Sequence, residues 1–186
     1  INRIYQEGGI GELRHIYASG KGYYGGFGLM EIGTHLLTHM MKFGGSCRGV
    51  TAHATTRGRP ITPNDVLPAP RGNGIIAGDN ITASLQFDNG VTGTLLQHKF
   101  DRINLDAHVV ELYGTEGRLM WHPHGAWKLN NPHVVPQNGP PNWEVLTPIY
   151  PDSFAEAVKQ ISHNSDMIEG DYWFVDRVGD TFRWKG

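Results

Sequence analysis

The stretch "GKGYYGGFGLMEIGTH", Gly20–His35, decides how the chain is read. Its opening, Gly20 to Gly25, matches the G-x-G-x-x-G spacing that cradles a dinucleotide pyrophosphate, and it stands between a strand-like run and a helix-like one. Spacing alone does not make a nucleotide loop. The first strand of a dinucleotide fold is buried on both faces and reads as a near-continuous apolar run, whereas "LRHIYAS" carries Arg14 and His15 at its middle. The acid expected about 20 residues past such a loop is missing, because "AHATTRG" ends in threonines and Arg57. A single arginine is slender grounds for a 2′-phosphate site. Gly20–Gly25 therefore reads as a coincidental match, and no cofactor-binding residue is assigned in this chain.

Working outward, "GELRHIYAS" (Gly11–Ser19) is strand-like and "LMEIGTHLLTHMMKF" (Leu29–Phe43) is strongly helical, stopped by Gly44-Gly45. "CRGVTAHATT" (Cys47–Thr56) alternates like a half-buried strand. Arg57–Gly78, with four prolines, reads as a long loop. Next come "ITASLQF" and "VTGTLLQHKF" around Asp88-Asn89-Gly90, then "AHVVELYG" and "RLMWH" around Gly114–Gly117, two hairpins. "AWKLN" adds a strand, Pro132–Pro151 reads as irregular, and Asp152–His163 and Gly170–Lys185 read as helices. The fold class expected is α+β: an open, mostly antiparallel or mixed sheet with helices on one face. In the strand from Val91, one face carries Thr92, Thr94, Leu96, His98 and Phe100 and the other Val91, Gly93, Leu95, Gln97 and Lys99. An uncovered face of that kind is semi-apolar and suits a dimer interface.

The bulk numbers narrow the class. With 186 residues, 39% hydrophobic and 18% charged, the chain forms a globular domain, read as a single one. A net charge of −2 gives no basic field for nucleic acid, and no apolar run approaches the roughly 20 residues of a membrane helix. The lone Cys47 fits a reducing, cytoplasmic setting. Ile1–Gln6 resembles the tail of a helix ending at Gly8-Gly9, as if the sequence began in mid-protein.

On a wheel of about 100° per residue, Leu29, Ile32, Leu36, Met40 and Phe43 form an apolar stripe, with Gly33 on that side as a point of close backbone approach. Glu31, His35 and His39, spaced i, i+4 and i+8, line one edge of the remaining arc. That edge admits three readings. It is a solvated face with a carboxylate–imidazole pair; or an acid–base unit in which Glu31 fixes the tautomer of His35 and raises its pKa; or a partial metal site. Ligands strung along one straight helix diverge, so one ion reaches two of the three, and no metal is assigned. Lys21, Tyr23 and Tyr24 are candidates for holding a polyhydroxylated substrate, or an ordinary turn. "QHKFDR" supplies His98, Lys99, Asp101 and Arg102 as a polar cluster at a strand end, either lining the site or solvated, and His122 and His124 of "WHPHG" read as a decorated turn.

These motifs, in this order, resemble the C-terminal domain of the Gfo/Idh/MocA oxidoreductases. The family pattern is a glycine-rich loop followed by G-x-L-x-D-x-G-x-H-x-x-D on a helix, and "GLMEIGTHLLTHMMKFGG" is similar to it, with Glu31 at the first acidic position and His35 as the histidine. "DNGVTG" and "VELYGTEGRL" are similar to its sheet hairpins, so the resemblance covers most of Gly8 to Trp121. The second acidic position is Thr38 here, a departure. The resemblance implies an oxidoreductase of sugars or polyols using NAD or NADP, with His35 in proton transfer and Glu31 tuning it; beside it, Lys21, Tyr24, His39, His98, Lys99 and Arg102 are the candidate contacts to a carbohydrate-like substrate. It implies as well that the nucleotide-binding half lies outside these residues, leaving the isolated chain inactive. Two other readings remain: a non-catalytic dimerisation or ligand-binding module of the same fold, and an NAD-dependent glycosidase on the same scaffold.

Overall fold

Alternating apolar and polar positions build about half of the described residues into strands. The computed structural model describes residues 1–20, 22, 29–68, 74–102, 107–122, 125–130, 143–146, 171–176 and 180–185. After a short helix α1 (Asn2–Gln6) come β1 (Leu13–Ser19), a π-helical turn (Leu29–Gly33), α2 (Thr34–Gly44) and β2 (Cys47–Thr56). The strands that follow are β3 (Arg59–Pro60), β4 (Leu67–Pro68), β5 (Ile75–Ile76), β6 (Asn80–Phe87), β7 (Thr92–His98), β8 (Val109–Gly114), β9 (Gly117–His122), β10 (Gly125–Asn130) and β11 (Trp143–Leu146). Nine of the strands form one mixed sheet in the order β11-β10-β9-β8-β1-β7-β6-β2-β3. β1 runs parallel to β7 and antiparallel to β8. The chain divides into two compact units, Arg3–Leu146 and Thr147–Gly186.

Both expected hairpins are present. Gly90, at φ +85°, turns the chain between β6 and β7, and the Asn89 side chain accepts the Val91 N–H at 3.1 Å. Register in the sheet then assigns the faces, because directly opposed residues share one. Ile16, Gly93, Leu95, Leu85, Ala83, Leu112 and Leu119 share the face on which α2 packs, and Leu36, Met40 and Phe43 come down onto it. Ile16, Met40, Leu112 and Leu119 are fully buried there. At Gly93 α2 packs tightly on the sheet: a Cβ there would lie 2.6 Å from Met40 Cε. Gly45, at φ +82°, ends the helix as expected, its N–H donating to the Met41 carbonyl at 2.9 Å.

Four expectations are corrected. The helix does not run as one α-helix from Leu29: its first turn is π-helical, and the Thr34 hydroxyl donates to the Glu31 carbonyl at 2.7 Å across the junction. Within Arg57–Gly78, read as loop, lie β3, a 3-10 turn (Pro63–Asp65), β4 and β5. The turn is pinned by a bidentate Arg59–Asp65 pair (2.6 and 2.8 Å) and by the Asp65 carboxylate accepting the Thr62 N–H at 2.7 Å. Trp143–Leu146, placed in an irregular stretch, is an edge strand on β10. Gly170–Lys185, read as a helix, contains instead the antiparallel pair β12 (Asp171–Asp176) and β13 (Asp180–Lys185). "YWFV" and "TFRW" are dense in aromatic and β-branched residues, which favour strands and outweigh the helical spacing. The expected helix Asp152–His163 lies outside the described residues.

Candidate functional site

The π-helical turn and α2 carry three of the candidate residues, Glu31, His35 and His39. Met40 lies over Gly93, early in β7, and Gly44 lies against Phe87. The helix therefore runs antiparallel to β1 and β7, and its first turns lie toward the ends of those strands, where Gly20 begins the glycine stretch. Glu31 sits half-buried in the π-helical turn, a feature that recurs at functional sites. His35 is exposed one turn on, and His39 is half-buried one turn further. The expected edge of three polar side chains is in place.

Electrostatics on that edge differ from the sequence-based expectation. The Glu31 charge does pull the His35 pKa upward, but partial desolvation and the neighbouring His39 pull it down more strongly, and the balance lies below the ordinary histidine value. His35 is therefore a neutral imidazole at pH 7, with a lone pair to accept a proton. Thr38, where the resembling motif carries an acid, donates its hydroxyl to the Thr34 carbonyl at 2.9 Å and so serves the helix itself.

His39 is held twice. Its Nδ1 lies 2.7 Å from the His35 carbonyl oxygen, and its ring stacks on Trp121 with centroids 6.0 Å apart and planes 12° apart. His108 meets the same indole edge-on at 5.6 Å. Neither Trp121 nor His108 stands out in the sequence as a site residue. The signal was available: Leu119 and Trp121 alternate in "RLMWH", so a buried Leu119 puts Trp121 on the helix side too.

The other candidates divide between the two faces. His98 lies on the face away from α2, 3.0 Å from the Thr82 hydroxyl, and the structure does not bring it to Glu31 and His35. Lys99 is exposed just past β7, its N–H donating to the Asp79 carbonyl at 2.6 Å, and Arg102 is exposed in a bend beyond it. Lys21, Tyr23, Tyr24 and His124 lie outside the described residues, and His122 ends β9. Gln97, not singled out in the sequence, is 3% exposed on the α2 side, and a side chain on Gly20 would run into its amide. Among the described residues its Nε2 has no hydrogen-bond partner.

The far face carries a different set. His15 Nδ1 lies 2.8 Å from the Thr92 hydroxyl, and the Tyr113 hydroxyl donates at 2.9 Å to Glu111, which is also bonded by Arg118. The Arg118 guanidinium lies 4.4 Å over the Tyr113 ring. Burial, helped by the Glu111 charge, pushes the Tyr113 phenol up to about 12.

The fold is an α+β domain in which a helix bearing Glu31, His35 and His39 is laid across a mixed sheet. The GFO/IDH/MocA C-terminal domain model matches residues 1–120, and the chain belongs to that family. Among solved structures, levoglucosan dehydrogenase in complex with NADH and levoglucosan is similar at TM-score 0.54 and 15% identity, over 78% of this chain and 42% of its own. An NAD binding oxidoreductase from Klebsiella pneumoniae gives 0.52 and 20%, over 77% and 42%. An oxidoreductase from Agrobacterium radiobacter in complex with NAD+, L-tartaric acid and magnesium gives 0.51 and 16%, over 77% and 40%. The chain thus spans about two fifths of the length of each of these neighbours. No curated protein matches.

Proposed function

We propose that this chain forms the substrate side of an NAD(P)-linked oxidoreductase acting on a carbohydrate-like alcohol, with His35 as the proton acceptor. The observation that carries this reading is the placement of Glu31, His35 and His39 one turn apart on the helical segment, in a chain of this family. Oxidising an alcohol to a carbonyl removes a hydride from carbon and a proton from oxygen, and the proton is this chain's share. A neutral imidazole within hydrogen-bond reach of the substrate hydroxyl takes it, and the resulting imidazolium is stabilised by the Glu31 carboxylate. Lys99 and Arg102, both exposed beyond β7, and Lys21 and Tyr24 of the glycine stretch are proposed to contact the remaining hydroxyls.

Strand order around the glycine stretch supports placing the dinucleotide elsewhere: β1, which leads into it, pairs with β7 and β8, while β2, the strand after α2, pairs with β6 and β3, so the two are not neighbours as the first strands of a dinucleotide fold are. We place the nucleotide site outside these residues and assign no hydride step to them. The back-bonded Thr38 favours the second reading, a non-catalytic ligand-binding module. The far sheet face, with Tyr17, Thr94, Leu96 and Tyr113 half-exposed, is proposed as the surface for a second copy of the chain. No helix among the described residues is long and apolar enough to cross a membrane, and a cytoplasmic setting is part of the proposal.

The test is reduction of NAD+ with levoglucosan, followed at 340 nm, by the protein in its full reading frame. His35→Asn lowers kcat by about 10²-fold or more, the range of a lost general base, while KM changes little. Equal rates for the variant and the parent sink the assignment.

A further inference from the structure

We infer that Gln97 is a further substrate-contacting residue, whose buried carboxamide holds an oxygen of the alcohol other than the one His35 deprotonates. This role rests on the reading of the helix edge as the substrate side and adds a specificity-determining residue to it. Gln97 is 3% exposed, yet among the described residues its Nε2 bonds nothing. Buried amides are normally paired, because leaving one unpaired destabilises the fold. The chain nevertheless makes room for this one. A Cβ on Gly20 would lie 2.4 Å from Gln97 Oε1, 2.8 Å from Nε2 and 2.9 Å from Cδ. The backbone of Gly20 does not itself need a glycine, since its φ lies outside the left-handed region. The missing side chain is what gives the amide its place.

That place is beside the candidate site. Met40 lies over Gly93 and Gly44 against Phe87, so the helical segment and β7 run in opposite directions. From Gly93 to Gln97 the strand advances about 13 Å, a length that a helix covers in about nine residues. Counting back from Met40, Gln97 comes level with the π-helical turn that carries Glu31. Ile81, opposite Gln97 in β6, and Ala18, on the same face of β1, are buried and apolar, so neither side chain can bond the amide. Rotation about the soft terminal torsion turns the amide without moving its stem. A hydroxyl suits it in either orientation, because a hydroxyl both donates and accepts.

The probes are levoglucosan and its 2-, 3- and 4-deoxy derivatives, offered to the protein in its full reading frame. Affinity is read by calorimetry and oxidation of levoglucosan by NADH formation at 340 nm. Gln97→Met keeps the shape of the side chain and removes its polar end. It weakens levoglucosan binding and raises KM by about tenfold, the worth of one buried hydrogen bond. The kcat holds, because the bond is the same in the ground state and the transition state. One deoxy derivative, lacking the oxygen that Gln97 holds, binds parent and variant equally. The urea midpoint of Gln97→Met equals or exceeds that of the parent, since methionine leaves no polar atom to satisfy. Gly20→Ala, which needs the space of the amide, repeats the rise in KM. An amide that serves only the fold or an internal water gives a lower midpoint with unchanged affinity. That result, or three deoxy derivatives that all still discriminate parent from variant, overturns the role of Gln97 while the reading of His35 stands. If Gln97→Met behaves as described but His35→Asn keeps the parent kcat, the assignment of His35 fails and that of Gln97 stands. If the parent takes no levoglucosan, both fail.

Discussion

Adding one methyl group to Gly93 should press α2 off the sheet. In Gly93→Ala the new Cβ would lie 2.6 Å from Met40 Cε, 3.2 Å from Phe87 Cε2 and 3.4 Å from Leu85 Cβ. Carbon atoms rest about 3.5–4 Å apart, so Met40 has to retreat by about 1 Å. Its thioether end is flexible, but Met40 is 0% exposed and Phe87 1%, so there is little space to move into. Overpacking of this kind costs about 1–3 kcal/mol. Replacing glycine in a strand returns about 0.5–1 kcal/mol of backbone entropy. The net loss is about 0.5–2 kcal/mol, a fall in Tm of a few degrees for a chain of this size. Urea unfolding read by tryptophan fluorescence measures it, and a double-mutant cycle assigns it. Met40→Ala alone leaves a cavity costing about 2–5 kcal/mol, while in the double variant the methyl added at Gly93 partly fills that cavity. The pair should therefore be less destabilised than the sum, by about 1 kcal/mol. A Gly93→Ala variant as stable as the parent, with strict additivity, refutes the account of how the helix is seated.

Three further outcomes follow from the charges. His15, His35 and His98 all have pKa values lowered by burial, so the unfolded chain binds more protons than the folded one near pH 6. Stability is then fully present above the unfolded value of about 6.5 and is lost as pH falls through it toward the lower folded values; urea midpoints at pH 7.5 and 5.5 should fall in that order. Arg118→Leu leaves the Glu111 carboxylate, 8% exposed, without its cation and should cost about 3 kcal/mol in the same unfolding assay. Ultraviolet titration should show one tyrosine ionising near pH 12, and Tyr113→Phe should remove that step.

The sheet was legible where turn chemistry and alternation agreed. Asp88-Asn89-Gly90 demands a left-handed glycine, and the period-2 runs on either side leave one register that buries Leu85 and Leu95 together. The helix edge was legible because i, i+4 spacing survives the change from π to α geometry. Parity in "QHKF" already placed His98 and Lys99 on opposite faces, so grouping them in one polar cluster overlooked a signal that was present. Alternation could put Trp121 on the helix side, but its stacking on His39 and the edge-on approach of His108 to the same indole depend on where β8 and β9 lie beneath α2. The sign of the His35 shift was also out of reach. Spacing identifies Glu31 as a neighbour but says nothing of desolvation, which outweighs it. In β12 and β13, aromatic side chains fit either periodicity, and helical spacing was the wrong choice.

The central claim is that these residues hold the substrate side of the site and not the nucleotide side. It is tested most directly by adding levoglucosan and NADH, separately, to the histidine-labelled 186-residue chain and following the His35 ring signals. The account predicts that levoglucosan shifts the His35 resonances saturably and that NADH leaves the spectrum unchanged. Saturable NADH binding by these residues, with His35 indifferent to the carbohydrate, would contradict it.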